Sequence, residues 1–230
     1  MKQIIDQERV NRNAMFSNIA SIGGLFLLLA SVLLPLFLPN LTTFSAILMV
    51  VGLGVSMVGI YYANRWVRKP RPEDRLEKVL KGLGDGYVLF HYPRLPADHI
   101  LLTPAGVTIL ETVNLDGAYS YLDGKWKESM TIGRALRYIV EEHLGDPTRA
   151  ASDSAEFLHR KLAELDGLSM SIPVKAVVVF THPLTKLDVK KPPLPVCMAE
   201  KLRKQVEIGT VKLPQADYDR VLEYLESVTR

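Results

Sequence analysis

Two uncharged apolar runs set the first limit on what this chain can become. FSNIASIGGLFLLLASVLLPLFL, residues 16–38, and FSAILMVVGLGVSMVGIYY, residues 44–62, contain no Asp, Glu, Lys or Arg. A helix needs about 20 apolar residues to cross the roughly 30 Å hydrocarbon core of a bilayer, and each run supplies that length. A cleaved leader has a shorter apolar stretch and a small-residue cleavage site. Joined only by PNLTT, the runs predict a transmembrane helical hairpin.

Charge sets the expected orientation. Lys2, Arg9 and Arg12 precede the first span, and Arg65, Arg68, Lys69 and Arg71 follow the second. Cytoplasmic flanks collect Lys and Arg, so both termini are expected in the cytoplasm, with the hairpin in a bacterial-type inner membrane. The lipid bilayer is then the first partner. Gly52, Gly54, Ser56 and Gly59 offer small surfaces for close packing of the second helix on the first. Pro35 and Pro39 fall near the end of the first span.

The net charge of +3 hides an asymmetry. Residues 1–72 hold seven Lys/Arg against two Asp/Glu, whereas residues 73–230 hold 21 against 23. The basic character belongs to the membrane flank, where anionic lipid favours it. A slightly acidic body argues against strong nucleic-acid binding by counterion release, leaving nucleic acid as a weak partner through a local patch. The single Cys197 rules out an internal disulfide and suits a reducing compartment. The expected organisation is a cytoplasmic segment 1–15, the hairpin 16–63, a stiff basic linker 64–72 and a cytoplasmic domain 73–230.

Within that domain, Leu76, Val79, Leu80 and Leu83 recur at helical spacing between Glu73 and Leu83, ahead of GLGDG. Strand-length runs follow at GYVLFHY, HILLT, GVTILE and AYSYL, and a GKWKE hairpin closes the series. TIGRALRYIVEEHL reads as an amphipathic helix. Another helix starts at Asp146-Pro147, with Asp at the cap and Pro in the first turn, and runs to about Leu165. VKAVVVF reads as a strand buried on both faces, KLDVKKPPLPV as a Pro-rich basic loop, and 198–206 and 214–228 as short helices. The order predicts an α/β domain: a mixed sheet with helices on its faces.

DHILLTPAGVTILETVNLDG, residues 98–117, carries the candidate chemistry. Strand alternation puts Val107, Ile109, Glu111 and Val113 on one face. If Pro104 and Ala105 alone form the turn, Asp98 stands opposite Glu111. A bulge at Gly106 would put His99 there instead.

EDRLEKVLKGL, this hairpin, DPTRA and VKAVVVFTHP together resemble the nuclease-related domain (NERD) family, a branch of the PD-(D/E)XK superfamily, over about residues 73–206. The resemblance implies a restriction-endonuclease-like fold. It matches Glu73 to the acid of the first helix, Asp98 to the metal-binding Asp, and Glu111 to the acid of a Glu-x-Lys motif. It further implies Mg²⁺ on Asp98 and Glu111, polarising a phosphodiester and lowering the pKa of a bound water, with Glu73 assisting. The motif lysine, which would position water and balance phosphate charge, is Val113 in this chain. A Gln common near the start of the family's helix falls on Ala150, beside Arg149.

Three readings follow. The first is a membrane-anchored domain of nuclease ancestry that no longer cuts and serves as a binding or scaffold module for an unidentified protein partner. The second is an active Mg²⁺-dependent nuclease in which Lys125 or Lys127 replaces the missing cation. In the third, the acids are plain strand ends. An uncompensated loss of a residue acting in the transition state costs orders of magnitude in rate, so Val113 favours the first. The five histidines show no metal-site spacing, and Trp126 is expected to cover the sheet edge. Lys186, Lys190, Lys191, Lys201, Arg203 and Lys204 form a local basic cluster whose ordinary reading is solvated charge, with a phosphate backbone or an anionic membrane surface as the alternative. Cys197 shows no arrangement that would make it a nucleophile.

Overall fold

In the computed structural model, residues 1–129, 143–207 and 212–229 are described. The expected amphipathic helix TIGRALRYIVEEHL lies outside them but for its last two residues. The chain divides into two units, one holding Met1–Asp6, Pro72–Ser129 and Leu144–Arg230, the other holding Gln7–Arg71.

The second unit is a pair of long helices, α1 (Gln7–Phe37) and α2 (Thr42–Trp66), joined by a 3-10 turn at Pro39–Leu41. Both are long and apolar enough to cross a membrane. Small residues let them touch. A side chain on Gly59 would meet the backbone N of Ser21 at 2.6 Å, and one on Gly24 would meet Cα of Ser56 at 2.8 Å. Ser17 Oγ donates to the Gly59 carbonyl at 3.0 Å, and Ser45 Oγ to the Ser31 carbonyl. Of the expected packing glycines, Gly52 approaches Leu27 and Leu28, while Gly54 faces open space. Large apolar side chains from Met15 to Val67 cover the outside of the pair; elsewhere among the described residues only Met170 and Leu184 are large, apolar and exposed.

The first unit is built on a mixed sheet. Its strands are β1 (Lys2–Ile5), β2 (Val88–His91), β3 (His99–Thr103), β4 (Gly106–Val113), β7 (Val174–Phe180) and β9 (Val196–Met198), in the order β1-β2-β3-β4-β7-β9. β2, β3 and β4 are antiparallel; β1 joins β2, and β7 joins both β4 and β9, in parallel. On one face, Leu76 and Leu80 of α3 (Pro72–Leu80) and Leu202 and Val206 of α5 (Leu202–Val206) pack against Leu89, Leu101, Leu110, Val177 and Val179. On the other, α4 (Pro147–Ala163) and α6 (Gln215–Ser227) bring Ala151, Leu158, Leu162, Val221 and Leu225 onto Phe90, Ile100, Ile109, Val178 and Phe180. Coverage on both faces explains the unbroken apolar runs HILLT and VKAVVVF. Each fully buried aliphatic side chain contributes about 1.5–3 kcal/mol.

A smaller sheet, β6-β5-β8, extends from the end of this one: β5 (Gly117–Leu122) pairs antiparallel with β6 (Lys125–Glu128) and parallel with β8 (Thr185–Val189). The parallel pair β4–β7 thus runs on into the parallel pair β5–β8. Thr185 Oγ1 donates to the Leu115 carbonyl at 2.7 Å across the junction.

Three segments differ from expectation. KLDVKKPPLPV is not one loop, since β8 and β9 flank a shorter connection. In β8, Lys186 and Asp188 alternate with the inward Thr185, Leu187 and Val189, a period-2 signal masked by lysine and proline. Residues 2–5, expected as part of a cytoplasmic lead, form an edge strand of the main sheet. The first helix ends at Leu80, short of Leu83, where Gly82 takes φ +92°.

Candidate functional site

The β3–β4 turn resolves the register. Thr103 pairs with Gly106 and Ile100 with Ile109, so Pro104 and Ala105 alone form the loop and there is no bulge. Extended by two residues, that register sets Asp98 opposite Glu111. Ile100 and Ile109 both face the α4 and α6 side, and strand alternation sets Glu111 on that side too; Asp98 lies in the bend just before β3. Both acids are half-buried. Gly106, at φ +140°, anchors the turn: a side chain there would run into the Pro173 carbonyl, which accepts from Val107 N at 2.9 Å.

Glu73 approaches differently. It lies on α3, which packs on the opposite face of the sheet, and is 2% exposed. Its Oε2 accepts from the Tyr92 phenol at 2.8 Å. Tyr92, 3% exposed with φ +59°, also donates its backbone N–H to the Asp98 carbonyl at 2.6 Å. One residue in an unfavourable backbone conformation therefore holds both the helix acid and the hairpin acid. The sequence reading omits Tyr92; the signal was a Tyr just past a strand and before Pro93, which reads as ordinary strand punctuation.

His91 and His99 face each other on paired strands. Their Nδ1 atoms are 2.9 Å apart, and both rings are buried. The two-residue turn sends His99 to the α3 side, away from Glu111. The spacing of the five histidines in the sequence gives no sign of this contact between the rings.

Val113 is 7% exposed and stands beside Phe180 in the core. Thr181 N donates to its carbonyl at 2.9 Å, and Thr181 Oγ1 to Asn114 Oδ1 at 3.1 Å, which fixes the end of β4. Lys125 and Lys127 lie on β6, in the smaller sheet, and both are exposed. Between them Trp126 points inward, its ring 5.7 Å from Phe180 and its Nε1 donating to Thr148 Oγ1 at 3.2 Å. Strand alternation then turns both lysines outward. Ala150 and Arg149 are exposed on the first turn of α4, which Asp146 caps by accepting from Arg149 N at 3.0 Å. Burial raises the Asp146 pKa, but hydrogen bonds from Thr148 and Arg149 outweigh it and leave the carboxyl below its ordinary value.

A divalent cation fits this arrangement in part. Mg²⁺ takes one or two carboxylates and keeps several waters, so the candidate ligands Asp98 and Glu111 would suffice in number. No group of three or more His, Cys, Asp or Glu among the described residues is placed to hold a metal. Any ion on Asp98 and Glu111 would rely on water or substrate oxygens for its other ligands.

Elsewhere, burial pushes the Cys197 thiol up to about 11, which keeps it protonated and unreactive near neutral pH. The expected basic cluster divides. Lys186 and Lys190 belong to β8 and its end, whereas Lys201, Arg203 and Lys204 sit on the segment that contributes Leu202 and Val206 to the α3 side.

The family model of the nuclease-related domain matches residues 71–181. The match runs from α3 through β7 and takes in Glu73, Asp98, Glu111 and Val113. No curated protein and no solved structure matches the chain.

Proposed function

We propose that this chain, of which residues 71–181 match the nuclease-related domain family model, is a membrane-anchored member that has lost phosphodiester cleavage and acts as a binding or scaffold module. The observation that carries the reading is Val113. Where the resemblance calls for a lysine beside Glu111, the chain has an apolar side chain packed with Phe180 and 7% exposed. It can neither donate a hydrogen bond to water nor balance charge on phosphate. The active alternative needs another cation, and its candidates, Lys125 and Lys127, are exposed on the side of β6 opposite Trp126. Asp98 and Glu111 would still hold Mg²⁺, which in an active relative of this kind polarises the phosphate.

Anchoring is supported by the exposed apolar surface of α1 and α2 and by the basic residues on both flanks. The chain leaves the sheet after β1 and returns to the same unit at α3. A hairpin whose two ends fold into one unit enters and leaves the bilayer on one side. The positive flanks support a cytoplasmic side, and an inner-membrane setting is part of the same proposal.

The test is cleavage of single- and double-stranded DNA and RNA by the full chain in detergent, with Mg²⁺ or Mn²⁺. The expected result is no cleavage by the natural sequence. Cleavage abolished by both Asp98→Ala and Glu111→Ala would sink the reading and point to a relocated cation.

A further inference from the structure

The smaller sheet gathers lysines that are far apart in sequence onto one face. β5 turns Tyr119 and Tyr121 into the core and Ala118, Ser120 and Leu122 outward. Across it, Leu122 pairs with Lys125 and Ser120 with Lys127; on its other edge Ala118 pairs with Lys186 and Ser120 with Asp188. Lys190 N donates to the Tyr121 carbonyl at 3.0 Å, continuing that edge. Lys125, Lys127, Lys186, Asp188 and Lys190 are all exposed. Neighbouring strands are about 4.8 Å apart, so the four lysines stand within about 10 Å of their neighbours, near one screening length at moderate salt. The carboxylates near them are Asp188 on the face and Asp123 in the β5–β6 turn; Glu128 lies on the inward side.

A second observation points the same way. Leu184, 70% exposed, lies in the turn that leads into β8. It is one of only two large apolar side chains exposed outside the helical pair among the described residues. A rigid lysine face bordered by a projecting leucine has the composition of a peripheral membrane contact: charges for anionic headgroups, one apolar side chain for the acyl boundary. Lysine, a flexible point charge, meets a headgroup without any need for bidentate geometry.

We infer that the outer face of β6-β5-β8, with Leu184 at its edge, binds the anionic phospholipid surface of the membrane that the helical pair occupies. This rests on the anchoring reading. Near such a surface each lysine is worth about fivefold in affinity, so the four act as a latch that lies flat on acidic lipid and releases on neutral lipid or in high salt.

The full chain would be reconstituted in vesicles of phosphatidylcholine alone, or of phosphatidylcholine mixed with phosphatidylglycerol. Flotation after a carbonate wash reads the anchoring, and hydrogen–deuterium exchange reads the face. The expected result is flotation with both lipids, and extra protection of residues 117–128 and 184–190 with phosphatidylglycerol only. That protection should vanish in the Lys125→Glu, Lys127→Glu, Lys186→Glu, Lys190→Glu variant and in high salt, and weaken in Leu184→Asp. An unchanged melting temperature in detergent would establish that the charge-reversed variant is folded. Flotation with equal exchange in both lipids overturns the latch and leaves the anchoring intact. Failure to float overturns the anchoring reading and the latch built on it. Protection by a single-stranded oligonucleotide but not by phosphatidylglycerol overturns the lipid assignment.

Discussion

Val113 on β4 stands in register with Phe180 on β7, the one 7% exposed and the other fully buried. The position missing its lysine is therefore a core position, with a core residue's tolerances. Val113→Met, an apolar change, should cost no more than about 1.5 kcal/mol after repacking. Val113→Lys must either deprotonate its ammonium or carry it out past its neighbours, and should cost more, roughly 2–4 kcal/mol. Thermal unfolding of both variants in detergent compares them. If Lys proves no worse than Met, the site opens toward Glu111, and the substitution becomes a fair test of restored cleavage.

β1 changes how the domain must be produced. Lys2–Ile5 pair with Val88–His91, and Asp6 N donates to the His91 carbonyl at 3.2 Å. A fragment beginning at Arg68 leaves that side of β2 bare, and unpaired strand edges template aggregation. Such a fragment should melt lower and elute as larger species than one in which Met1–Asp6 is joined to Pro72 by a flexible linker. Equal melting and equal elution would mean that β1 adds nothing to the sheet.

The His91–His99 contact should show as an energetic coupling. A bond between two Nδ1 atoms needs one protonated and one bare nitrogen, so at least one ring is neutral. Truncating either residue to Ala takes that bond from a buried ring, at about 1–3 kcal/mol. Truncating both should cost less than the two single changes together, with a coupling of about 0.5–3 kcal/mol. Additive melting shifts across the four proteins of the cycle would show that the ring contact does not stabilise the fold.

The parts legible in the sequence are those written in long periodic stretches. HILLT and VKAVVVF are read to the residue, and the Asp146-Pro147 start of α4 follows from capping chemistry alone. The turn is ambiguous in sequence because Thr-Pro-Ala-Gly serves a two-residue loop or a bulge equally well; the Val107–Pro173 contact, from 66 residues away, belongs to the fold that selects the former. β1 and β8 are illegible in sequence for a related reason. Four residues in a basic flank, or five carrying two charges, show no pattern until a partner strand supplies it. At the site, sequence offers Asp98 or His99 opposite Glu111 and gives no hint that Tyr92 joins Asp98 to Glu73. That join depends on a left-handed residue whose type does not announce it.

Acid sensitivity should trace in part to Asp217. It is 1% exposed, and Ser169 donates to it twice, through N at 2.8 Å and Oγ at 2.6 Å. These bonds favour the charged carboxyl and hold its pKa below the ordinary 3.8. A pKa depressed by folding contributes stability above the unfolded value, and that stability is lost as pH falls through the folded value. Asp217→Asn should lower the melting temperature at neutral pH and flatten its decline between about pH 5 and 3. A variant with the same decline as the natural sequence would assign the acid sensitivity to other carboxyls.

The helical pair allows a matched comparison on one helix. A side chain on Gly59 would stand 2.6 Å from the backbone N of Ser21, closer than real contacts allow; the Ser21 hydroxyl nearby can rotate away, but the main-chain N and Cα cannot. Ser17 Oγ also donates to the Gly59 carbonyl, so spreading the helices costs that bond as well. Gly54, five residues earlier on α2, has nothing within 4 Å of where a side chain would begin. Gly59→Ala should therefore force the helices apart and cost about 1–3 kcal/mol, as overpacking does elsewhere. Gly54→Ala should be neutral or stabilise by up to about 1 kcal/mol, since it reduces only the freedom of the unfolded backbone. The two variants are compared by melting in detergent, and by the yield of a disulfide between cysteines placed on facing positions of α1 and α2. Equal behaviour would mean that the helices do not meet at Gly59. A loss confined to Gly59→Ala fixes the face by which α2 holds α1, and with it the face left to lipid.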